Sequence, residues 1–231
     1  MRAAMFHPDL YWKMGTGVIK KHGFLKALAR LFYLRRDFGI WRQDLTVELP
    51  EVKSSKVWSG LPAAALEFRH VFAGELAEVW PSLSLQTARH HQQFLSRGYH
   101  CFAALQNGKV IGWVWWSDQK RRERDCVQRD VKALWPYMLP REVYIWDAFV
   151  PPEYRCKGIY VALHVSFCHF LKEKGYEKTL AWTYTTNIPA IRTLQRFKNE
   201  EIGRGCTERY LFIIERVRIM EFWGETSHAD S

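Results

Sequence analysis

The stretch Asp147–Tyr160 holds the residues most suited to chemistry, because a strand, a sharp turn and a helix start follow one another there. The β-branched and aromatic run Val143–Val150 predicts a buried strand. Pro151 and Pro152 end that strand, because proline has no backbone N–H to donate to a sheet. A long apolar pattern follows and predicts a helix that begins within residues 155–158.

The start of that helix has the features of an anion site. The first turn of a helix leaves backbone N–H groups free, and the helix dipole favours negative charge there. Gly158 lets a ligand approach the backbone closely, and Arg155 and Lys157 add two cations. Cys156 is expected to contribute its backbone N–H, with a covalent role as the weaker alternative. The sequence therefore predicts a loop that holds a diphosphate.

This pattern resembles a known signature. Arg155-x-x-Gly158-x-Tyr160, after a strand and Pro-Pro-Glu-Tyr, is similar to the acetyl-CoA signature of bacterial-type members of the GNAT superfamily of N-acyltransferases. The family signature ends in glycine or alanine, where this chain has Tyr160. The resemblance implies that acetyl-CoA, or a longer acyl-CoA, is the donor substrate.

A second segment strengthens the resemblance. The strand-like run Thr179–Asn187 precedes a predicted short helix, Ile188–Phe197, as in the family segment that carries Asn-x-x-Ala. Asn187 and Ala190 match, whereas Leu194 stands where the family often has a tyrosine that protonates the departing thiolate. Lys198-Asn199 stands where the family has Gly-Phe. The donor-binding residues that the loop and the resemblance indicate are Phe149, Val150, Arg155, Cys156, Lys157, Gly158, Ile159, Tyr160, Asn187 and Ala190.

Aminolysis of a thioester needs a proton acceptor, an oxyanion donor and a group that protonates the thiolate. Asp147 lies in the apolar strand, where burial would raise its pKa, and we expect it to be the base or an acceptor anchor, with a structural role as the alternative. Glu142, at the strand start, is a weaker candidate base, and a solvated residue at the end of the strand is the alternative that we favour. Tyr184 and Tyr160 are candidate acids, although each could equally be a core tyrosine. The resemblance implies a bulge near Phe149 or Val150 that frees a backbone N–H for the oxyanion.

Composition excludes several classes of site. The five cysteines are odd in number and lack a Cys-x-x-Cys pair, so we predict neither a disulfide scaffold nor a zinc site. The histidines have no carboxylate or cysteine at ligand spacing, and no metal is expected. The chain shows no apolar run of about 18 residues and no signal-peptide pattern, which indicates a cytoplasmic protein.

The N-terminal segment is strongly basic. Residues 1–44 hold nine Lys or Arg against three Asp, in a chain of net charge +10. Phe24, Leu25, Leu28, Leu31 and Phe32 share one face of a predicted amphipathic helix. Residues 17–36 could therefore contact the inner face of an anionic membrane. Packing on the protein's own domain is the alternative that we favour.

The remaining pattern predicts an α/β (α+β) fold. Helices are expected at Pro62–Phe72 and Leu85–Gly98, a hairpin around Asn107-Gly108, and a last strand at Tyr210–Val217 that pairs antiparallel with Glu201–Gly203 or a neighbour. The strands on either side of the helix that follows the loop should be parallel. The resemblance implies a mixed, mostly antiparallel central sheet with a parallel, splayed strand pair and flanking helices. The predicted organisation is a basic segment at 1–45, a GNAT-like domain at 46–222 and a polar tail at 223–231.

Two further features bear on the acceptor. The segment Ser117–Arg141 is too long for a hairpin turn. Its cations could pair with the 3′-phosphate of CoA or with an acidic substrate, and its aromatic half could form a lid over the acceptor. A solvated charged helix beside a few core residues is the alternative. The predicted strands carry five tryptophans, with Trp113 and Trp115 on one face and Trp116 on the other. If one such face lines the acceptor groove, the acceptor is large and apolar.

The sequence thus predicts an acyltransferase that moves an acyl group from acyl-CoA, or from acyl carrier protein, to an amine. Two alternatives remain open at this stage: a non-catalytic acyl-CoA-binding or membrane-associated module, and a transferase that uses an aminoacyl-tRNA donor. Binding to nucleic acid as such is not favoured, because the chain contains no recognisable nucleic-acid module. A homodimer is left open.

Overall fold

The structure is a computed structural model, and it describes residues 33–48, 66–75, 85–118, 129–210 and 214–225. Eight strands form one sheet in the order β2-β3-β4-β5-β6-β1-β7-β8. The strands are β1 (Tyr33–Asp44), β2 (Leu66–Val71), β3 (His100–Gln106), β4 (Lys109–Asp118), β5 (Glu142–Phe149), β6 (Lys178–Tyr184), β7 (Glu200–Tyr210) and β8 (Ile214–Phe222). The helices are α1 (Leu85–Ser96), α2 (Arg129–Leu134), α3 (Ile159–Glu173) and α4 (Ile188–Arg196), with 3₁₀ turns at Ala73–Glu75, Trp135–Tyr137 and Pro152–Tyr154.

The strand pattern confirms the predicted fold class. Every neighbouring pair is antiparallel except β5 and β6, which run parallel on either side of α3. Alternation along β4 places Trp116 against α3, while Trp113 and Trp115 pack on the opposite face with Phe94 of α1. The hairpin turns at Asn107 and Gly108, both in the left-handed region, as predicted.

The predicted helix Pro62–Phe72 is wrong where the structure describes it. Leu66–Val71 forms strand β2, which pairs residue by residue with β3 from Leu66↔Gln106 to Val71↔Cys101. Phe68 packs on the core cluster against α3, and Val71 belongs to the cluster on the other face. Pairing with the edge of β3 and burial on two faces therefore outweigh the helical pattern of this segment.

The boundary predicted at residue 45 is also wrong. Tyr33–Asp44 is not an appendage but strand β1, which lies inside the sheet between β6 and β7. Phe38 and Ile40 are fully buried in the cluster that also contains Leu180 of β6. Of the segment 17–36 expected to contact membrane, residues 33–36 belong to β1 and the rest lies outside the described residues. Within the described part of the chain, no helix is both long and apolar enough to cross a membrane.

The C-terminal predictions need smaller corrections. The strand predicted at Tyr210–Val217 is divided, because β7 ends at Tyr210 and β8 begins at Ile214, opposite it in the register. The expected antiparallel pairing is present, since Val217 faces Thr207, but Gly203 faces Phe222, which lies beyond the predicted strand. The predicted polar tail does not leave the domain at residue 223, because the Trp223 indole N–H donates to the carbonyl of Glu201 at 2.9 Å.

The segment 117–141 is only partly described. Residues 129–137 form α2 and a 3₁₀ turn, and residues 119–128 lie outside the described ranges. Leu134 and Met138 are fully buried in the cluster with Phe38 and Tyr144. The part of this segment that was expected to form a lid therefore contributes to the core beside β5.

Candidate active site

The two parallel strands separate at their carboxyl ends and leave a cleft between them. β5 and β6 are paired only from Glu142↔Lys178 to Ile145↔Ala181, although β5 continues to Phe149 and β6 to Tyr184. Beyond that point a cleft of about 890 Å³ opens between the strands. This volume lies in the range of small-molecule sites, and clefts at the ends of splayed strands are common ligand sites.

A bulge in β5 borders the cleft. Trp115 faces Trp146 and Trp113 faces Phe149, so three steps along β5 match two along β4. The extra residue falls at Asp147–Ala148, and Asp147 has a left-handed φ of 45°. A bulge interrupts the ladder and leaves a backbone N–H unpaired there. The bulge that was predicted near Phe149 or Val150 thus lies at the two residues immediately before Phe149.

The predicted diphosphate loop joins the end of β5 to α3. Gly158 is the N-cap residue with a φ of 74°, and it makes no side-chain cap, so the first N–H groups of α3 have no side-chain acceptor from that residue. Arg155 Nε donates to the Val150 carbonyl at 2.9 Å, and its guanidinium lies 5.3 Å from the Phe149 ring centroid. Arg155 therefore ties the end of the strand to the start of the helix.

Three other loop residues differ in their exposure. Cys156 is exposed with a left-handed φ of 60°, and Lys157 Nζ lies 5.8 Å from the Tyr154 ring centroid. Ile159 is 1% exposed and belongs to the core under α3. Its side chain therefore cannot contact acyl-CoA in the cleft, and only its backbone N–H is available to bind it.

α3 and α4 line one side of the cleft with a mixed surface. Tyr160 and His164 of α3 face Ala190 and Leu194 of α4 there. Asn187 also lines the cleft, and its side-chain oxygen accepts the Ala190 N–H at 3.4 Å as the N-cap of α4. Leu194 presents no hydroxyl at the place where the resemblance implies one.

β5 and β6 contribute four aromatic rings to the lining, beside smaller residues such as Thr179, Ala181 and Thr183. Trp146, Phe149, Trp182 and Tyr184 all line the cleft, with Asp147 at the bulge. Trp182 and Tyr184 meet edge to face with ring centroids 4.9 Å apart. The four rings on the β5 and β6 side form an aromatic wall, whereas α3 and α4 contribute Tyr160 and His164 together with Ala190 and Leu194.

Asp147 is exposed, not buried as its apolar strand predicted. The bulge turns its side chain out of the alternating pattern of β5. Its Oδ2 accepts a hydrogen bond from Trp113 Nε1 at 3.2 Å. Asp147 is therefore an accessible carboxylate that borders the cleft and is oriented by the indole of Trp113.

The two tyrosines lie in different settings. Burial raises the pKa of Tyr160 from 10 to about 12, so its phenol is protonated at neutral pH, as an ordinary tyrosine is, but it is a weaker acid. The Arg36 guanidinium of β1 lies 5.5 Å from the Tyr184 ring centroid. Both tyrosines line the same cleft, so either hydroxyl is a candidate proton donor there.

Glu142 lies at the wrong end of β5 for catalysis. It is 1% exposed, and its carboxylate accepts from Arg42 Nε at 2.7 Å and from the Leu139 N–H at 2.7 Å. Burial raises the pKa of Glu142, while the Arg42 hydrogen bond opposes that rise. We therefore correct the prediction of a catalytic or solvated Glu142, because it forms a buried ion pair with β1.

We expect Arg42→Met to destabilise the protein by about 3–5 kcal/mol, because it leaves the Glu142 carboxylate buried without its cation. Loss of Arg42 would raise the pKa of Glu142 further. A raised folded-state pKa favours the protonated folded form, so the loss of stability should grow as pH rises and shrink as pH falls. Urea unfolding at pH 5 and pH 8 would measure this, with Arg42→Met/Glu142→Gln as the variant that recovers stability. A loss independent of pH would contradict the assignment.

Sequence reasoning missed a buried polar pair at the wall of the cleft. His164 Nε2 lies 3.0 Å from Gln43 Oε1, and its ring centroid lies 4.2 Å from that of Phe197. Burial lowers the pKa of His164 to about 4, so the imidazole is neutral at pH 7. The partners are 121 residues apart, and no local signal in the sequence connects them.

Among the described residues, no group of three or more His, Cys, Asp or Glu is placed to hold a metal ion.

Comparison with known proteins identifies the family. The acetyltransferase (GNAT) family matches residues 65–198, which is more than half of the chain. The chain belongs to the GNAT family. A search of curated protein sequences gives no significant match.

Two solved structures share the GNAT fold seen here. A Drosophila protein is 15% identical with a TM-score of 0.51, covering 85% of this chain and 58% of its own. The glucosamine N-acetyltransferase region of a fungal multi-domain GH3 β-N-acetylglucosaminidase is also 15% identical with a TM-score of 0.52, covering 78% of this chain and 22% of its own. The chain thus spans less than two thirds of the length of either structure.

The family match begins after β1. It includes the strands on both sides of the cleft, the loop at Gly158 and α4. β1, β7 and β8 lie outside it, although β1 occupies an interior place in the GNAT sheet of this chain.

Proposed function

We propose that this protein transfers an acetyl group from acetyl-CoA to a primary amine in the cleft between β5 and β6. The observation that supports this most is the arrangement at the end of β5, where the bulge at Asp147 borders the cleft and the helix that starts at Gly158 lines it. A helix start without a side-chain cap suits a diphosphate, and the cleft suits the arm that extends from it. A CoA thioester that carries a longer acyl group is the alternative donor.

Each chemical role has a candidate in this chain. The amine nitrogen would attack the thioester carbonyl carbon, and a backbone N–H freed by the bulge would stabilise the oxyanion. Asp147 would accept the proton of the amine, directly or through water, because it is the exposed carboxylate at the cleft. The carbon–sulfur bond then breaks, and the hydroxyl of Tyr184 or Tyr160 would donate the proton that the thiolate takes. These hydroxyls would replace the one that Leu194 cannot supply.

The aromatic wall supports an acceptor with a large apolar body. A cationic amine is attracted to the faces of Trp and Tyr rings as well as to a carboxylate. Trp182, Tyr184 and Asp147 would thus hold the ammonium form before it loses its proton. An acceptor that is small and wholly polar would leave most of this wall without a partner.

Asp147→Asn tests the base. Asparagine accepts the Trp113 N–H as aspartate does, and it tolerates the left-handed backbone at this position, so the fold should persist. We expect kcat/KM for an arylalkylamine acceptor to fall at least about a hundredfold with little change in acetyl-CoA affinity. Turnover can be followed by release of the CoA thiol, and Asp118→Asn, at the other end of the sheet, is the control.

The missing hydroxyl at Leu194 favours a second candidate, a GNAT protein that binds acyl-CoA without turning it over. Calorimetry and the thiol assay on the same preparation separate the two. Tight acetyl-CoA binding with no thiol release, across arylalkylamine, polyamine and aminoglycoside acceptors, would support the binding module. Thiol release that depends on an amine and on Asp147 would exclude it.

A further inference from the structure

Arg36 of β1 lies at the rim of the cleft between β5 and β6. The pairing of β1 with β6 starts at Phe38↔Tyr184 and runs away from the cleft to Asp44↔Lys178. Arg36 is two residues outside that pairing, so it lies beyond the carboxyl end of β6, where the cleft is open. Its guanidinium carbon is 5.5 Å from the ring centroid of Tyr184, which lines the cleft. Arg36 therefore adjoins the aromatic wall without being part of it.

Arg36 and Asp147 lie on the same face of the sheet, the one opposite α3. Asp147 accepts a hydrogen bond from Trp113, which packs on that face. Trp146 connects the two clusters of the face, because it packs both with the cluster of Trp113 and with the cluster of Phe38. Alternation along β1 puts Arg36 on the same face as Phe38. The strand order β5-β6-β1 then places the two rings that β6 contributes between the strand of the carboxylate and the strand of the guanidinium.

The positive charge of Arg36 is not compensated within the described part of the chain. The side chain is exposed, and no described carboxylate forms an ion pair with it. The residue that faces it on β7 is Thr207, which is neutral. The carboxylates on the neighbouring strand ends each have another cation: Asp37 with Arg35 at 3.0 Å, Glu208 with Arg218 at 3.0 Å and Glu215 with Arg209 at 3.4 Å.

The cleft itself offers a carboxylate to the acceptor. Of the described residues that line it, only Asp147 and Arg155 are charged at pH 7, since His164 is neutral. Arg155 donates to the Val150 carbonyl, next to the helix start that suits the diphosphate. The acceptor side therefore has a carboxylate at one end and the guanidinium of Arg36 at the other.

These two charges discriminate between acceptors by the group that lies remote from the amine. Neighbouring strands are about 4.8 Å apart, so β5 and β1, with β6 between them, are about 10 Å apart or more where the cleft separates them. An acceptor with its amine at Asp147 and one aromatic ring against the wall extends this far. A second cation at its far end would be repelled by Arg36, and a neutral group would leave the guanidinium to water. A carboxylate would accept two of its N–H groups.

We propose that the acceptor is an arylalkylamine with a carboxylate at the end of the ring remote from the amine. Its amine lies at Asp147, its ring packs against Trp182 and Tyr184, and its carboxylate accepts from the Arg36 guanidinium. The inference rests on the acetyl transfer proposed above. Arg36 determines which amine is preferred, whereas the reaction of the thioester does not depend on it.

The thiol assay with acetyl-CoA tests this on three acceptors of similar length: 4-(2-aminoethyl)benzoate, neutral 4-(2-aminoethyl)benzamide and cationic 4-(2-aminoethyl)phenyltrimethylammonium. We expect kcat/KM at pH 7 to be about fivefold higher for the carboxylate than for the amide, mainly through KM, and lowest for the cation. Equal values for the three, or a preference for the cation, would overturn the inference and leave the proposed transfer standing. No thiol release from any of them, with normal acetyl-CoA binding, would contradict both.

Variants at two adjacent positions locate the carboxylate. Arg36→Gln should bring the ratio of kcat/KM between the carboxylate and the amide to about one, and Arg36→Glu should reverse the preference. Arg36→Lys keeps the charge but not the fork of donors, so it should recover only part of the ratio.

Arg35→Gln is the matched control, because Arg35 precedes Arg36 but lies on the other face of the sheet, in an ion pair with Asp37. The ratio in this variant should be that of the wild type. Calorimetry with acetyl-CoA checks that each variant is folded. An unchanged ratio in Arg36→Gln, or an equal loss in Arg35→Gln, would refute the assignment.

Discussion

Gly158→Asp is expected to reduce acetyl-CoA binding below detection in calorimetry. Gly158 is the residue from which α3 starts, and the proposed diphosphate would face its backbone N–H and those that follow. An aspartate there adds a carboxylate against two phosphates, as well as side-chain bulk at a φ of 74°. Like-charge repulsion at contact distance and loss of close backbone approach act in the same direction, so an effect of more than a hundredfold is expected.

Gly108→Asp is the matched control for this variant. Gly108 has a φ of 73°, almost the same as Gly158, but it lies in the hairpin turn between β3 and β4 with no atom near its missing side chain. The two substitutions therefore carry the same charge and a similar backbone strain at different places. Acetyl-CoA affinity should be normal in Gly108→Asp. Normal affinity in both variants would place the donor elsewhere and would remove the basis of the proposed function.

The loop at Gly158 could be predicted from the sequence because its signals are local. Two prolines end β5, a glycine starts α3, and Asn187 caps α4 within three residues of Ala190. Each of these features depends on neighbours in the chain, and the structure places them where the pattern indicates. The parallel arrangement of β5 and β6 follows from the intervening helix in the same way.

The features that the sequence did not predict depend on distant partners. Arg42 meets Glu142 across 100 residues, and Gln43 meets His164 across 121. Both contacts exist only because β1 is inserted beside β6, and nothing in the basic composition of residues 1–44 indicates a strand in the sheet interior. Asp147 was placed in a buried strand because its neighbours are apolar, whereas the bulge that exposes it arises from the register with β4.

The same insertion leads to the second large effect, which is that a chain beginning at residue 45 should not fold. β1 is hydrogen-bonded to β6 on one side and to β7 on the other. Without it, β7 and β8 would lose their connection to the rest of the sheet, and both new edges would expose unpaired backbone groups. The buried side chains of Phe38 and Ile40 would leave a void in the cluster beneath, and Glu142 would lose Arg42.

Circular dichroism melting of the chain 45–231 would measure this, and a cooperative transition with normal acetyl-CoA binding would show that β1 is dispensable. A point variant gives a graded version of the same test. Phe38 is fully buried and contacts Trp182 with ring centroids 4.8 Å apart, so Phe38→Ala should cost about 3–5 kcal/mol of unfolding free energy. Phe72→Ala removes an equal side chain that is 64% exposed, and it should change stability by less than about 1 kcal/mol. Equal losses in the two variants would mean that β1 does not hold the interior place in the sheet from which Arg36 reaches Tyr184 at the cleft.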